Sequence, residues 1–202
     1  MAHDVGEADA RRWAGLGLFA AGAIFWLVNT SAEAAFPGYD VHEDALSRLG
    51  SVGAPTSLAW NAALLVLGTL WLAGAVAAFR PVGRPWLVLN AVPPLCAYLV
   101  ALFPVGTIAA PHWIGAFGLF VSGGIVAIAD SRLVRGPFRV ASAATGATGL
   151  LCLVVFAVLP PGDLLGFGGA ERLVAYPIMI WLMGMGGYLM AGGPLGAAKA
   201  AG

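Results

Sequence analysis

A few ionisable side chains interrupt an otherwise apolar sequence. Glu33, Glu171 and His112 are of the types that act as general acids or bases. Arg172, which directly follows Glu171, is suited to holding a phosphate or a carboxylate through several hydrogen bonds. Because a charged group in apolar surroundings is costly unless it is paired, these four residues are the first candidates for a site.

Hydrogen-bonding side chains recur near these candidates at helical spacing. Asn29 lies four residues before Glu33, and Tyr176 lies four residues after Arg172, so the members of each pair share one face of a helix. Asn61, and Ser47 and Asp44 in a polar segment between two apolar runs, are further candidates for binding a ligand. The predicted ligand-binding residues are Arg172, Asn61, Tyr176, Asn29, Ser47 and Asp44.

The composition indicates which elements must position these residues. Of the 202 residues, 60% are hydrophobic and only 10% are charged, whereas globular domains contain about 25% charged residues. We therefore expect an integral membrane protein. Ten basic and ten acidic residues give no net charge, so the basic surface that nucleic-acid binding requires is missing. We expect membrane lipids as partners, no nucleic acid, and leave a homo-oligomer open.

Six apolar runs are long enough to span a bilayer, which takes roughly 20 residues per helix. They are hydrophobic on all sides instead of alternating with a period of two, which favours helices over strands. The sequence predicts an all-α, polytopic bundle with a transmembrane domain at 13–192, a disordered N-terminus at 1–12 and a tail at 193–202. The predicted spans are 14–35, 57–79, 85–103, 111–129, 138–159 and 170–191.

Each odd-numbered span ends in an apolar residue, a proline and a nearby glycine, as in Phe36-Pro37-Gly38. This recurrence is compatible with three helical hairpins, although prolines that stop helices produce the same pattern. If both termini are cytoplasmic, the odd spans lead into external loops. The bundle is therefore predicted as six helices that are possibly grouped in pairs.

The longest loop, at 36–56, contains a predicted short helix. Asp40 followed three residues later by Glu43 is typical of a capping box, and Gly50 is a suitable C-terminal stop. Residues four apart, Val41, Ala45 and Leu49, would form one apolar face. We therefore expect a helix over 40–50 that lies at the membrane interface and covers the bundle.

The basic residues predict the orientation. Eight of the ten Lys and Arg residues precede the first span, lie in the even-to-odd loops or follow the last span; only Arg48 and Arg172 do not. Positive residues are retained on the cytoplasmic side. We therefore expect a multi-pass protein of the plasma membrane with both termini cytoplasmic, and the candidate residues would line one pocket that opens outward.

Several chemistries lack their signatures. His3 and His42 lie outside the spans, so paired haem ligands are missing, and no span contains a lysine for a retinal Schiff base. Motifs of metalloproteases, serine hydrolases and ATP-binding proteins are absent. A zinc site would require the loop to bring His42, His112 and an acid together. We expect no cofactor and no metal.

Short motifs in order along the chain resemble the bacterial and archaeal membrane proteins of the domain of unknown function 998 family. They are Ser47-x-Leu49-Gly50, Asn61, Leu102-Phe103-Pro104 followed by His112, and Gly169-x-Glu171-Arg172. The resemblance implies a six-helix membrane protein and no particular reaction. The chain is also faintly similar to membrane hydrolases that include alkaline ceramidases, but it lacks the His-x-x-x-His of their last spans.

Three functions follow from these patterns. The first is a membrane protein whose outward-facing polar pocket binds a lipid headgroup or small amphipathic ligand, with Arg172 as the anion contact. The second is a lipid-modifying hydrolase or transferase at the outer interface, with Glu171 or Glu33 as general base and His112 as acid or base. The third is a structural subunit in which polar residues only determine packing.

Overall fold

Six long helices make up the fold. The structure, a computed structural model, describes residues 2–158 and 165–196, without the side chains of residues 2–5 and 7. Within these ranges it contains no strand, and the helices are α1 (Ala2–Ala35), α2 (Ser57–Phe79), α3 (Arg84–Leu102), α4 (Ala109–Asp130), α5 (Pro137–Val158) and α6 (Gly166–Met190). All six are long and apolar enough to span a membrane, which confirms the predicted all-α membrane bundle.

The helices form a ring in chain order. Each packs against its neighbours in the chain, and α6 closes the ring against α1. A short 3₁₀ helix, η1 (Leu46–Gly50), contacts α1, α2 and α6 where α1 ends and α2 and α6 begin. We call this the η1 end and the other the Asp130 end. Because α2 packs against α3 and α4 against α5 as well, the packing does not single out three hairpins.

Glycines allow close approach between particular helices. A Cβ added at Gly186 of α6 would lie 2.5 Å from the carbonyl oxygen of Gly15 on α1. A Cβ at Gly146 of α5 would lie 2.5 Å from the carbonyl oxygen of Gly124 on α4. Small residues let membrane helices pack backbone to backbone. The backbones of α4 and α5 therefore approach closely at Gly124 and Gly146, in the half toward the Asp130 end.

Two helix starts differ from the sequence prediction. α1 begins at Ala2, inside the segment predicted to be disordered. Good helix formers occur there, and Arg12 Nη1 lies 3.5 Å from Asp9 Oδ1, one turn away. α6 begins at Gly166, four residues before the predicted start of 170. Most of the predicted tail at 193–202 lies outside the described residues.

The predicted capping box in the loop is wrong. Asp40 Oδ1 accepts a hydrogen bond from the His42 backbone N–H at 2.8 Å, which closes a local turn, and Glu43 Oε1 contacts His42 Nδ1 at 2.6 Å. Aspartate side chains compete in this way with regular helix formation. Helical structure therefore starts only at Leu46.

The shorter loop helix also turns a different face toward the bundle. Leu46 and Leu49 are buried, whereas Val41, which was expected on the apolar face, is exposed. A 3₁₀ helix repeats every three residues, so side chains three apart lie on one face. The pair Leu46 and Leu49 satisfies this spacing, and it seats η1 on the hydrophobic core.

Candidate functional site

The loop before α2 rests on the first turn of α6. The Gly168 and Gly169 N–H groups donate to the His42 carbonyl oxygen at 2.8 and 3.3 Å, and such N–H groups have no partner within their own helix. A Cβ on Gly168 would lie 2.3 Å from the Asp44 carbonyl oxygen and 2.5 Å from that of Val41. Only glycine therefore permits this contact, which brings the loop against Glu171 and Arg172.

Arg172 is buried, and protein acceptors take all of its N–H groups. Nε and Nη2 donate to Glu33 Oε1 at 3.1 and 2.7 Å, and Nη2 also donates to the Tyr39 hydroxyl at 2.7 Å. Nη1 donates to the backbone carbonyl oxygens of Val41, Asp44 and Gly168 at 2.9, 3.2 and 2.7 Å. A guanidinium has five N–H groups, so these contacts leave none for a ligand.

Asn29 extends this network into the bundle. Its Nδ2 donates to Glu33 Oε1 at 3.0 Å and to the Tyr176 hydroxyl at 3.5 Å, and its Oδ1 accepts from Trp60 Nε1 at 2.9 Å. We call Arg172, Glu33, Tyr39, Asn29, Tyr176 and Trp60 the arginine cluster. It joins α1, α2, α6 and the loop, and buried networks that are satisfied in this way rigidify a structure.

Tyr39 and Asp44, both in the loop, have shifted pKa values. Burial raises the pKa of Tyr39 to about 12, although the nearby Arg172 opposes the shift. The Asp44 carboxylate pairs with Arg48 and accepts from the Asp40 backbone N–H at 2.8 Å. The hydrogen bond from Arg48 holds the pKa of Asp44 below its usual value. Tyr39 is therefore neutral and Asp44 ionised at neutral pH.

Glu171 points away from the arginine cluster although it precedes Arg172 in the chain. Successive residues of an α-helix are about 100° apart, which directs Glu171 toward α4 and η1. Its Oε2 accepts from the Leu46 backbone N–H at 2.7 Å, and the side chain is buried. Its Oε1 has no hydrogen-bond partner among the residues that the structure describes.

His112, near the start of α4, is buried and has one ring nitrogen engaged. Nδ1 lies 2.9 Å from the carbonyl oxygen of Phe103, at the end of α3. Because a carbonyl only accepts, Nδ1 carries the hydrogen, and Nε2 of the neutral ring is the acceptor. Within the described part of the chain, Nε2 has no hydrogen-bond partner.

Ser47, His112 and Glu171 line the same two spaces. The first, the inner cavity, has a volume of about 50 Å³ and lies beneath η1 among apolar side chains. The second, the lateral groove, has a volume of about 420 Å³. The two spaces also share Ala116 and Phe120 of α4 as lining residues. The inner cavity has room for a few water molecules, and the groove is of the size that binds small ligands.

The lateral groove follows from how α4 and α5 pack. The helices touch toward the Asp130 end at Gly124 and Gly146, where Ser142 Oγ also donates to the Ala127 carbonyl oxygen at 2.6 Å. Toward the η1 end they leave the groove, whose walls are Phe117, Phe120, Leu153, Phe156 and Phe167. Phe117 is 60% exposed on the outer surface of the bundle. The groove therefore opens sideways, where lipid chains surround a membrane protein.

The predicted site residues fall into two groups. Glu33, Asn29, Tyr176 and Arg172 meet in the arginine cluster, whereas His112, Glu171 and Ser47 line the cavity and groove. The single polar pocket expected from the sequence is thus divided between two faces of α6.

Asn61 and Asp44 belong to neither group of side chains. Asn61 Nδ2 donates to the Gly50 carbonyl oxygen at 2.8 Å and to Ser57 Oγ at 3.2 Å, which secures the end of η1. Asp44 gives a backbone carbonyl to Arg172, and its carboxylate pairs with Arg48. Both residues hold the loop in place.

Three participants were missed from the sequence. Tyr39 and Trp60 complete the arginine cluster, and the Phe103 carbonyl orients His112. The sequence held a signal for Trp60 and for Phe103. A buried indole N–H needs an acceptor, and the last carbonyls of a helix lack donors within that helix. Tyr39 had no signal, because its role depends on the turn of the loop.

Among the described residues, no group of three histidine, cysteine, aspartate or glutamate side chains is arranged to hold a metal ion. Glu171 and His112 line one cavity, but Glu33 is bonded to Arg172 on the other face of α6. On the cavity, Ser47 Oγ, His112 Nε2 and Glu171 Oε1 have no hydrogen-bond partner within the described part of the protein. They can accept hydrogen bonds and transfer protons.

Comparison with known protein families gives a match over most of the chain. The profile of the family described as "Protein of unknown function (DUF998)" matches residues 19–188. That range extends from α1 into α6 and contains both the arginine cluster and the cavity. No curated protein and no solved structure matches the chain.

Proposed function

Since the chain belongs to the DUF998 family of proteins of unknown function, we propose from its geometry that it binds a neutral amphipathic lipid of the membrane. The acyl chain occupies the lateral groove, and the polar end reaches Ser47, His112 and Glu171. The observation that carries this proposal is that the apolar, laterally open groove and the inner cavity share the same three polar lining residues, Ser47, His112 and Glu171.

The polar end favours a hydroxyl or ester over a phosphate. Arg172 donates to Glu33 and to backbone carbonyls, so in this proposal it is not the anion contact expected from the sequence. Among the described residues, those that line the cavity and groove include an acid and no guanidinium or ammonium group. A hydroxyl can donate to Glu171 Oε1 or His112 Nε2, whereas a phosphate would face the carboxyl without a compensating cation.

A groove-filling variant tests the binding. Dioleoylglycerol added to the purified protein in detergent should raise the Tm of the wild type by mass action. Ala157→Trp fills the groove and should remove this increase, whereas Ala141→Trp, exposed on the same helix but outside the groove, should retain it. Phosphatidylglycerol should give a smaller increase. Equal increases in both tryptophan variants would reject the groove as the binding site.

Ester cleavage is a second candidate, which we propose from the tautomer of His112. With Nδ1–H bound to the Phe103 carbonyl, Nε2 can accept the Ser47 hydroxyl proton as Oγ attacks an ester carbonyl carbon. The alcohol leaves with that proton. Water, deprotonated by Nε2, then attacks the acyl carbon, and the fatty acid departs as Ser47 Oγ takes the proton back from Nε2. Glu171 lies in the same cavity to stabilise the imidazolium.

Turnover separates this reaction from binding alone. Fatty acid released from dioleoylglycerol would be measured for the wild type, Ser47→Ala and His112→Gln. The reaction predicts release by the wild type only, while Ser47→Ala keeps the increase in Tm on adding the lipid. A wild type that is stabilised by the lipid but releases no fatty acid would refute the reaction and retain the binding function.

We further propose that the protein lies in the plasma membrane with both termini cytoplasmic, which would place the cavity toward the outer leaflet. The support is the distribution of eight basic residues on one side. In a chain with Cys96 and Cys152 replaced by alanine, Gly38→Cys should react with an impermeant thiol reagent on intact cells, and Arg135→Cys should not. Reaction of both from outside would reject this orientation.

A further inference from the structure

A second polar site lies at the opposite end of the bundle, between α3 and α4. Asn90 and Asp130 are both fully buried. Asn90 Nδ2 donates to Asp130 Oδ1 at 3.2 Å and to the Trp86 carbonyl oxygen at 3.1 Å. The pair belongs neither to the arginine cluster nor to the cavity. Buried ionisable groups inside membrane spans mark functional hypotheses.

Two oxygens of this pair lack partners. Asn90 Oδ1 and Asp130 Oδ2 are buried without a hydrogen bond among the described residues. Rotating the Asn90 amide does not help, because its nitrogen lies between two acceptors, the Trp86 carbonyl and Asp130 Oδ1. With the amide flipped, the Asn90 oxygen would face the Trp86 carbonyl oxygen and Asp130 Oδ1, and no hydrogen would lie between them. The missing element is therefore a hydrogen-bond donor.

The charged groups of the surrounding elements do not supply it. The elements packed against the Asp130 end of α4 carry Arg84 on α3, Arg139 on α5, Tyr188 on α6, and Arg132 and Arg135 in the connecting loop. Within the described ranges none of them forms an ion pair or a hydrogen bond with the Asp130 carboxyl. An ionised Asp130 would be a buried charge without a counterion, which is strongly unfavourable.

We propose that Asp130 binds a proton and forms a cyclic acid–amide pair with Asn90. In this pair the Asn90 N–H donates to Oδ1, as observed, and the Asp130 Oδ2–H donates to Asn90 Oδ1. One proton thus satisfies both oxygens and removes the charge. The bundle then contains a proton-binding site that links α3 to α4 at the end opposite the lipid site.

Three variants of the full chain in lipid nanodiscs test the proposal. Asp130→Asn presents an NH₂ group where the carboxyl presents O–H, so it keeps both hydrogen bonds and should leave the Tm nearly unchanged. Asp130→Leu has similar volume but strands the Asn90 amide, and it should lower the Tm clearly. Asp9→Asn, the same change at an exposed aspartate, controls for loss of a carboxylate.

Infrared spectra supply the direct measurement. At neutral pH the wild type should show the C=O stretch of a protonated carboxyl that Asp130→Asn lacks and Asp9→Asn retains. If this band is absent from the wild type and Asp130→Asn lowers the Tm as much as Asp130→Leu, Asp130 is ionised and the proposal fails. A wild-type Tm that changes when choline replaces sodium, with no change in Asp130→Asn, would assign the site to a small cation instead.

Discussion

Glu171 and Arg172 are consecutive in the chain, yet they lie in two regions with opposite properties. Arg172 is at the centre of the arginine cluster, where every N–H group has a protein acceptor. Glu171 lies on a cavity in which a carboxyl oxygen, an imidazole nitrogen and a hydroxyl have no partner among the residues that the structure describes. Both residues are buried, so burial alone does not distinguish the two regions.

The difference is one of hydrogen-bond saturation. In an apolar medium an unpaired polar group costs free energy, so a complete network has a structural explanation and needs no ligand. Unused polar atoms beside an open, apolar groove lack such an explanation. This criterion assigns Arg172, the most conspicuous charge in the sequence, to structure, and assigns the adjacent Glu171 to the candidate site.

The largest effect is expected for Arg172→Ala. Removing one partner of a buried ion pair leaves Glu33 uncompensated, which costs about 3 to 5 kcal/mol, and the Tyr39 and loop contacts are lost as well. The Tm in detergent should fall strongly with or without added lipid. Arg12→Ala, an exposed arginine paired with Asp9, should have little effect. An unchanged Tm in the lipid-free protein would return Arg172 to the role of a ligand contact.

Equivalent changes at the two glutamates compare the regions directly. Glu33→Gln removes the charge that neutralises Arg172 and should cost about 1.5 to 3 kcal/mol, the value of a hydrogen bond to a charged group. Glu171→Gln keeps an acceptor for the Leu46 N–H, so its Tm should change less. It should instead weaken the stabilisation by dioleoylglycerol, which Glu33→Gln should retain. If Glu171→Gln lowered the Tm more and Glu33→Gln weakened the stabilisation by lipid, Glu33 would belong to the binding site and Glu171 to the structural network.

Adjacent glycines of α6 test how the loop is held. Gly168→Ala forces a Cβ against two carbonyl oxygens of the loop and should cost about 1 to 3 kcal/mol, as overpacking does. Gly169→Ala is the control, because its Cβ would make only an ordinary 3.6 Å contact with Leu165. Thermal denaturation of both variants measures the difference. Equal stability would mean that the loop is not seated on Gly168.

The smallest effect concerns Tyr39 and appears only at high pH. Burial raises its pKa to about 12 from the ordinary tyrosine value of 10.0, so the native state keeps a proton that the unfolded state loses in this interval. Stability should fall as the pH rises from about 10 to about 12, and Tyr39→Phe should lack this component. Ultraviolet titration should show a late-titrating tyrosine component that the variant lacks. Titration of all tyrosines near pH 10 would contradict the burial of Tyr39 in the cluster.

The sequence alone determined the class of fold and the helix count. In a bilayer each backbone N–H must be satisfied within its own segment or in a closed barrel, so length and hydropathy of local segments suffice to predict six spanning helices. The candidate residues were also found from type and spacing. The i, i+4 relation of Asn29 and Glu33 predicted their shared helix face, and their hydrogen bond of 3.0 Å confirms it.

Tertiary structure decided how these residues are divided. Arg172 hydrogen-bonds to Glu33, which is 139 residues away in the sequence. Helical spacing within α6 cannot predict this partner. A turn forms at Asp40 where a capping box was predicted. The turn is stabilised by a local side-chain hydrogen bond and by the packing of the loop on Gly168, and a longer helix would lose both.

The groove exists because α4 and α5 touch at Gly124 and Gly146 and leave space toward η1. Such contacts depend on how whole helices cross. The crossing is determined by packing across the bundle, and the sequence of a single segment carries no information about it.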